Sequence, residues 1–344
     1  MRNLFIVIIG TIFSVLYSNT ILAKGSNPSI FDQLNHKEIL NVTIEVDVDE
    51  LTADWRNDDK YRAVMSFKDN KGNKQFWNIK LQRRGKFRRM HCSGIPPLKI
   101  FFDKEILAQK GLAKYDDMKL VNYCYDEDRE VAKELIFKEY LAYQLYEQLT
   151  EESFRTQLLR VTYKDIRSGK KFRQYAFIIE DAAEMRARID AKKYKLKEDI
   201  AANPFHERQL QLMALFQYMI GNADFDPLVE KNIKVVEKQE RVLAIPYDFD
   251  FSGFVNPPYG KANTRYKLDN MVDRVYLGSA DSLESMIAYF KDKKSDLYTV
   301  IEKSDLLNDF SEDHVISYLD SFYDHLTVDA IVAHQATEIY SYGK

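Results

Sequence analysis

GNADFDPLVEKNIKVVEKQERVLAIPYDFDFSG, residues 221–253, is the stretch on which the reading of this chain turns. It gathers Asp224, Asp226, Asn232, Asp248 and Asp250 within 27 residues. Two short apolar runs, 232–236 and 241–246, separate the acidic groups, and the polar 238–240 joins them as an antiparallel hairpin. With the turn centred near residue 240, paired positions sum to a constant and Asn232 falls opposite Asp248. The open end of the hairpin then collects Asn232, Asp248 and Asp250 beside the loop carrying Asp224 and Asp226. Carboxylates with an amide oxygen are donors that hard Mg2+ or Mn2+ accepts, with positions left for water and phosphate. Each acid alone would read as a turn or cap residue. Gathered by one hairpin, they read as a metal site.

Upstream of this stretch the pattern is mostly strand. Residues 38–48 alternate apolar and polar, as do 61–68 and 75–83 around the turn Asp69-Asn70-Lys71-Gly72-Asn73. Further strand runs cover 97–102 and 118–124, so the first third reads as a mostly antiparallel sheet. Residues 128–149 form a helical pattern with Val131, Leu135, Ala142, Leu145 and Leu149 on one face. A hairpin follows, 157–164 with 171–179. Residues 182–200 read as a charged helical insert on a solvated face, and 205–220 as a buried helix stopped by Gly221-Asn222. The tail, 281–344, is helical. This order gives an α+β fold with two lobes and a cleft, divided near residue 181 into 24–181 and 182–344.

Composition narrows the partners. The 344 residues carry 50 Lys+Arg against 53 Asp+Glu, a net charge of −3, so there is no basic field for nucleic acid. Six scattered histidines and two distant cysteines argue against a zinc site. Arg2, the apolar run 4–17 and Ile21-Leu22-Ala23 read as a secretory signal over residues 1–23. The expectation is an exported protein, periplasmic or extracellular, with no membrane segment after cleavage. In an oxidising compartment Cys92 and Cys124 can pair. No GxGxxG or Walker A motif is present, so triphosphate charge would fall to Arg84, Lys86, Arg88, Arg89 and Lys99. Lys99, between Leu98 and Ile100 on a strand, is the best single phosphate lysine; Lys119 is second. Glu134 on the following helix is a candidate partner for that lysine.

Several pieces resemble the CotH kinase family of atypical, spore-coat-protein-H-like kinases, and especially an exported branch from Bacteroidetes-type bacteria. They are Arg83-Arg84-Gly85 with Arg88, Pro97-Leu98-Lys99, Lys119-Leu120-Val121, Glu180-Asp181, GNADFD…KNIKV and PYDFDFSG. The resemblance implies a two-lobed kinase-like fold with an antiparallel-sheet N-lobe and a mainly helical C-lobe. It implies Asp224 as the catalytic-loop base, with Asn232 and Asp248 holding the cation on ATP and Asp226 and Asp250 as secondary candidates. Residues 177–181, ending in Glu180, would lie beside adenine. The interval from Asp224 to Asn232 is longer than in ordinary protein kinases, which leaves Asp224 and Asp226 both open as the base. The expected activity is Mg2+-dependent transfer of the γ-phosphoryl of ATP to a hydroxyl on a protein or envelope component. A catalytically silent kinase-like binding fold and a metal-dependent phosphoesterase are the rivals.

Overall fold

A computed structural model describes residues 27–54, 56–85, 94–123, 128–196 and 203–336. The signal segment, Lys86, Arg88, Arg89, Cys92 and Cys124 lie outside the described residues.

The fold mixes helices and strands, as expected for α+β, but its larger sheet closes on itself. Seven strands form the barrel: β1 (Leu40–Val46), β2 (Lys60–Lys68), β3 (Lys74–Arg83), β4 (Leu98–Phe102), β5 (Asp117–Val121), β6 (Thr156–Asp165) and β7 (Lys171–Ile179). Their order is β1-β2-β3-β4-β5-β7-β6. Alternation makes the interior: Tyr61, Ala63, Met65 and Phe67 of β2 face in, opposite Trp77, Ile79 and Leu81 of β3. Closure comes from β1 against β6, Val42 opposite Val161, and this pair runs parallel. The sheet is therefore not wholly antiparallel, and closure spares it exposed edges. Residues far apart in sequence make that pair, so local alternation carries no sign of it.

Small helices α1 (Ile30–Leu34), α2 (Val48–Thr52) and α3 (Lys104–Gln109) fringe the barrel. Helix α4 (Arg129–Leu149) lies outside it and buries more than one face. Leu135, Leu141, Leu145 and Tyr146 pack with α6 (Glu207–Met219), α7 (Leu283–Glu302) and α8 (Asp309–Asp324), in a core that also takes Phe177 and Ile179 from the barrel's outer face. Burying each such side chain contributes roughly 1.5–3 kcal/mol. Among the described residues the charged insert is helical over α5 (Ala182–Arg188) alone. Residues 192–193 instead form a short edge strand, β8 (Lys192–Lys193), against β9 (Ile233–Lys238), itself paired with β10 (Arg241–Pro246). Helix α9 (Val328–Ala333) closes the described chain. Among the described residues no helix is long and apolar enough to cross a membrane.

One ion cluster ties α1 and α5 to the ends of β6 and β7. Arg155 donates Nε to Glu180 at 2.8 Å, Nη1 to Asp32 at 2.9 Å and Nη2 to Glu184 at 2.6 Å. Arg188 donates to Glu180 at 2.6 Å, and Ser29 Oγ to Glu184 at 2.5 Å. Burial pushes the Glu184 carboxyl up to about 7, against the pull of Ser29 and Arg155. A raised folded value means that the folded state holds a proton which the unfolded chain loses above pH 4–5. Stability contributed by this group therefore falls as pH rises from about 4.5 to about 7, by at most about 3 kcal/mol. Glu147, pushed up to about 7 by burial, acts with the same sign. Thermal melts between pH 5 and 8 should show the melting temperature dropping with pH in the wild type, and a shallower slope in Glu184→Gln. An unchanged slope would remove Glu184 from the account.

Candidate functional site

The hairpin of β9 and β10 turns on two residues, Gln239 and Glu240, both with positive φ (50° and 62°). Lys238 pairs with Arg241 and Ile233 with Pro246, so the pairing sum is one lower than the sequence reading gives. Asn232 consequently lies opposite Tyr247, whose N–H donates to the Asn232 carbonyl at 3.0 Å. Asn232 (φ 53°) and Asp248 (φ 68°) both leave the extended conformation here, which Asn and Asp tolerate better than most residues. The Asp248 N–H donates to Tyr143 Oη of α4 at 2.8 Å. Phe249 is buried between Tyr143 and Phe216, at ring separations of 4.7 and 5.5 Å. The aromatic between the two aspartates is thus the anchor that aims them.

The loop after α6 is fixed just as firmly. Asn222 Oδ1 accepts the Asp224 N–H at 2.8 Å. Asn232 Nδ2 donates to the Asp224 carbonyl at 2.7 Å and to its carboxylate at 3.0 Å. Lys231 Nζ forms an ion pair with the other carboxylate oxygen. Asn222 also bridges to Ser252, and the Gly253 N–H donates to the Gly221 carbonyl at 3.0 Å, so the two acidic loops run side by side. Gly221 has φ 64°, and a Cβ there would stand 2.0 Å from Tyr318 Oη; one at Gly253 would stand 2.3 Å from the same atom. Asp226 turns aside: it accepts the Leu228 N–H at 2.9 Å and lies 3.8 Å from Arg265.

Glu139 of α4, Asp248 and Asp250 place carboxylate oxygens within 4.8 Å of one another. Tyr123 Oη donates to Glu139 at 2.9 Å. Three converging carboxylates match the oxygen donors of Mg2+ or Mn2+. Asn232 serves Asp224 through its amide nitrogen. Glu139 and Tyr143 escape sequence reasoning because α4 is buried on more than one side and has no clean polar face to set them apart. The signal for them is spacing: residues 139 and 143 are one helical turn apart, and Glu139 follows Leu135 by another turn.

The barrel supplies cations to this cleft. Lys99 of β4 and Lys119 of β5 are directly paired across the sheet and share its outer face. Lys99 forms an ion pair with Asp117 at 2.9 Å. Lys119 forms no ion pair among the described residues; its Nζ sits 3.4 Å from the centre of the Tyr247 ring. Burial drives the Lys119 ammonium well below the usual lysine range, Arg84 pushes the same way and Asp248 partly opposes them. Arg84 reaches Asp248 at 3.8 Å. Glu134 does not meet either lysine: it lies 3.7 Å from Lys133 and accepts the Asn308 N–H at 3.2 Å. The buried Glu180 carboxylate is held by Arg155 and Arg188. Arg83 faces the barrel interior, on Tyr61 and the Asn57 carbonyl.

No protein-family model matches this sequence, and no curated protein matches it. The chain is similar to the crystal structure of the Helicobacter pylori proinflammatory kinase CtkA at 10% identity and a TM-score of 0.36, over 75% of this chain and 91% of that one. At that distance the chemistry rests on the side chains described above.

The close approach at Gly221 generates a stability test. Gly221→Ala forces a Cβ into Tyr318 Oη and keeps a strained φ, so it should destabilise by roughly 2–4 kcal/mol in denaturant unfolding. Adding Tyr318→Phe removes the colliding oxygen and should recover part of that loss. A double variant no more stable than Gly221→Ala alone would mean the contact does not hold the two loops.

Proposed function

We propose that this chain is an exported, kinase-like phosphotransferase that uses Mg2+ or Mn2+ and moves the γ-phosphoryl of ATP to a hydroxyl on a protein or envelope component. The observation that carries this reading is the convergence of opposite charges on one cleft. Arg84 and Lys119 come from the barrel, Asp248 comes from the hairpin, and the Arg84–Asp248 approach of 3.8 Å links the two sides. Phosphate binding calls for the cations and a divalent metal calls for the acids. In this reading the barrel side of 24–181 is the nucleotide lobe and 182–344 the acceptor lobe.

Glu139, Asp248 and Asp250, with Asn232, would hold the metal, which when bound neutralises charge on the phosphates. Lys119 takes the phosphate role in preference to Lys99, because Asp117 already neutralises Lys99. Asp224 is the base in preference to Asp226: Asn232 and Asn222 fix its orientation, whereas Asp226 caps its own turn. Lys231 is ion-paired with the Asp224 carboxylate. The same ion pair favours one rival, a silent binding fold in which Lys231 blocks the base.

Nucleotide titration decides. Lys119→Ala should weaken Mg-ATP binding about tenfold or more and Lys99→Ala by only a few-fold, since Asp117 already offsets the Lys99 charge. Because burial holds Lys119 well below its ordinary pKa and an anion favours its charged form, ATP binding should take up protons. Calorimetry in buffers of different ionisation enthalpy should show that uptake and its loss in Lys119→Met. Asp224→Asn should bind ATP normally while slowing single-turnover transfer by about 10²–10⁴. Asp248→Asn should lose both. If wild-type protein ignores ATP and metal, the kinase reading falls and the silent fold stands.

A further inference from the structure

Beside Asp224 an open cleft of about 360 Å³ runs past Gly221, Lys231, Phe251, Tyr259, Lys261, Asn263, Leu268, Asn270 and Met271. Its floor is apolar, from Phe251, Tyr259, Leu268 and Met271, while Asn263 and Asn270 bring amides to its rim. Asn263 is fixed, its Nδ2 donating to the Ala223 carbonyl at 2.9 Å. The charge balance is one-sided. Asp224 is matched by Lys231, which leaves Lys261 exposed on the rim with no ion pair among the described residues. The segment 257–270 carries Lys261, Arg265 and Lys267 with Asp269; Arg265 lies 3.8 Å from Asp226, and of the three cations Lys261 is the one that lines the cleft.

We propose that this cleft is the acceptor site and that it selects a hydroxyl flanked by acidic residues in an extended peptide. The inference rests on the phosphotransfer reading and adds the substrate class. An extended peptide fits the lining: amides on the rim meet its backbone, the aromatic and aliphatic floor takes one apolar side chain, and Lys261 meets a flanking carboxylate. The acceptor hydroxyl then lies against Asp224. Its oxygen bonds to the γ-phosphorus, the bond from that phosphorus to the β,γ-bridging oxygen breaks, ADP leaves with the electron pair, and the hydroxyl proton passes to Asp224.

The test uses the full chain, Mg-ATP and three serine peptides flanked by glutamate, by glutamine or by lysine, with transfer and fluorescence-anisotropy binding measured separately. Transfer and binding should both favour the glutamate peptide over the glutamine peptide by about tenfold at low salt, shrinking as salt rises. Lys261→Glu with Lys267→Glu, both exposed, should erase that preference while leaving Mg-ATP affinity unchanged; Lys261→Ala should give a milder loss of roughly two- to fivefold. Equal binding of the glutamate and glutamine peptides, or a preference for the lysine peptide, overturns the proposal even if transfer is robust. Tighter binding of a sulfated polysaccharide than of the glutamate peptide at equal charge overturns the peptide assignment. If no peptide is phosphorylated and ATP is not bound, the kinase reading fails, and selective, Lys261-dependent binding of the glutamate peptide would still support an acidic-peptide cleft.

Discussion

Everything at the cleft depends on where helix α4 can lie. Its buried residues run almost without interruption from Glu134 to Tyr146, so it cannot present a polar face to water over that length. It must be enclosed by the barrel on one side and the C-terminal helices on the other. Enclosure forces its polar groups to find partners, because burying them without hydrogen bonds costs several kcal/mol each. Tyr143 finds the Asp248 N–H and Glu139 finds Tyr123 Oη. The helix therefore does two things at once: it joins the two halves of the core, and it holds the acidic loop at a fixed height against the barrel.

That double role explains what could and could not be read in advance. The strands of the barrel were legible because each has one buried and one open face, and period-two alternation follows. Helix α4 was legible as a helix, but its one-face pattern gave 139 and 143 no role. Being buried on several sides blurs a helix's periodicity, and the two site residues it contributes were lost in that blur. The hairpin of β9 and β10 was legible too, yet its register was off by one. Two-residue turns of this kind favour Asn-Gly or Asp-Gly, and Gln239-Glu240 gives no such cue. A shift of one is enough to exchange the partner of Asn232 from Asp248 to Tyr247.

The two lysines show a different limit. Lys99 and Lys119 face the same way from neighbouring strands, and by local sequence Lys99 looks the better phosphate ligand. What separates them is a carboxylate: Asp117 reaches Lys99, while Lys119 rests on the Tyr247 ring. Tyr247 belongs to β10's continuation, more than a hundred residues away in the chain. Only tertiary structure brings a site's spare charge to light, since sequence shows which residues are charged but not which are already neutralised.

The same distinction between spent and spare charge orders the whole surface of the cleft. Glu180 is spent on Arg155 and Arg188, Asp226 on its own turn, and Lys99 on Asp117. Two groups of opposite sign approach each other here: Arg84 and Lys119 from the barrel, and the carboxylates at 139, 248 and 250. Like charges brought this close raise each other's cost of ionisation. Lys119 registers that cost directly, in a pKa driven down by burial and by Arg84. An anion on the barrel side and a cation on the acidic side relieve both strains together, whereas either ion alone relieves one. The ligand proposed above, a divalent metal on a polyphosphate, carries both charges in one body.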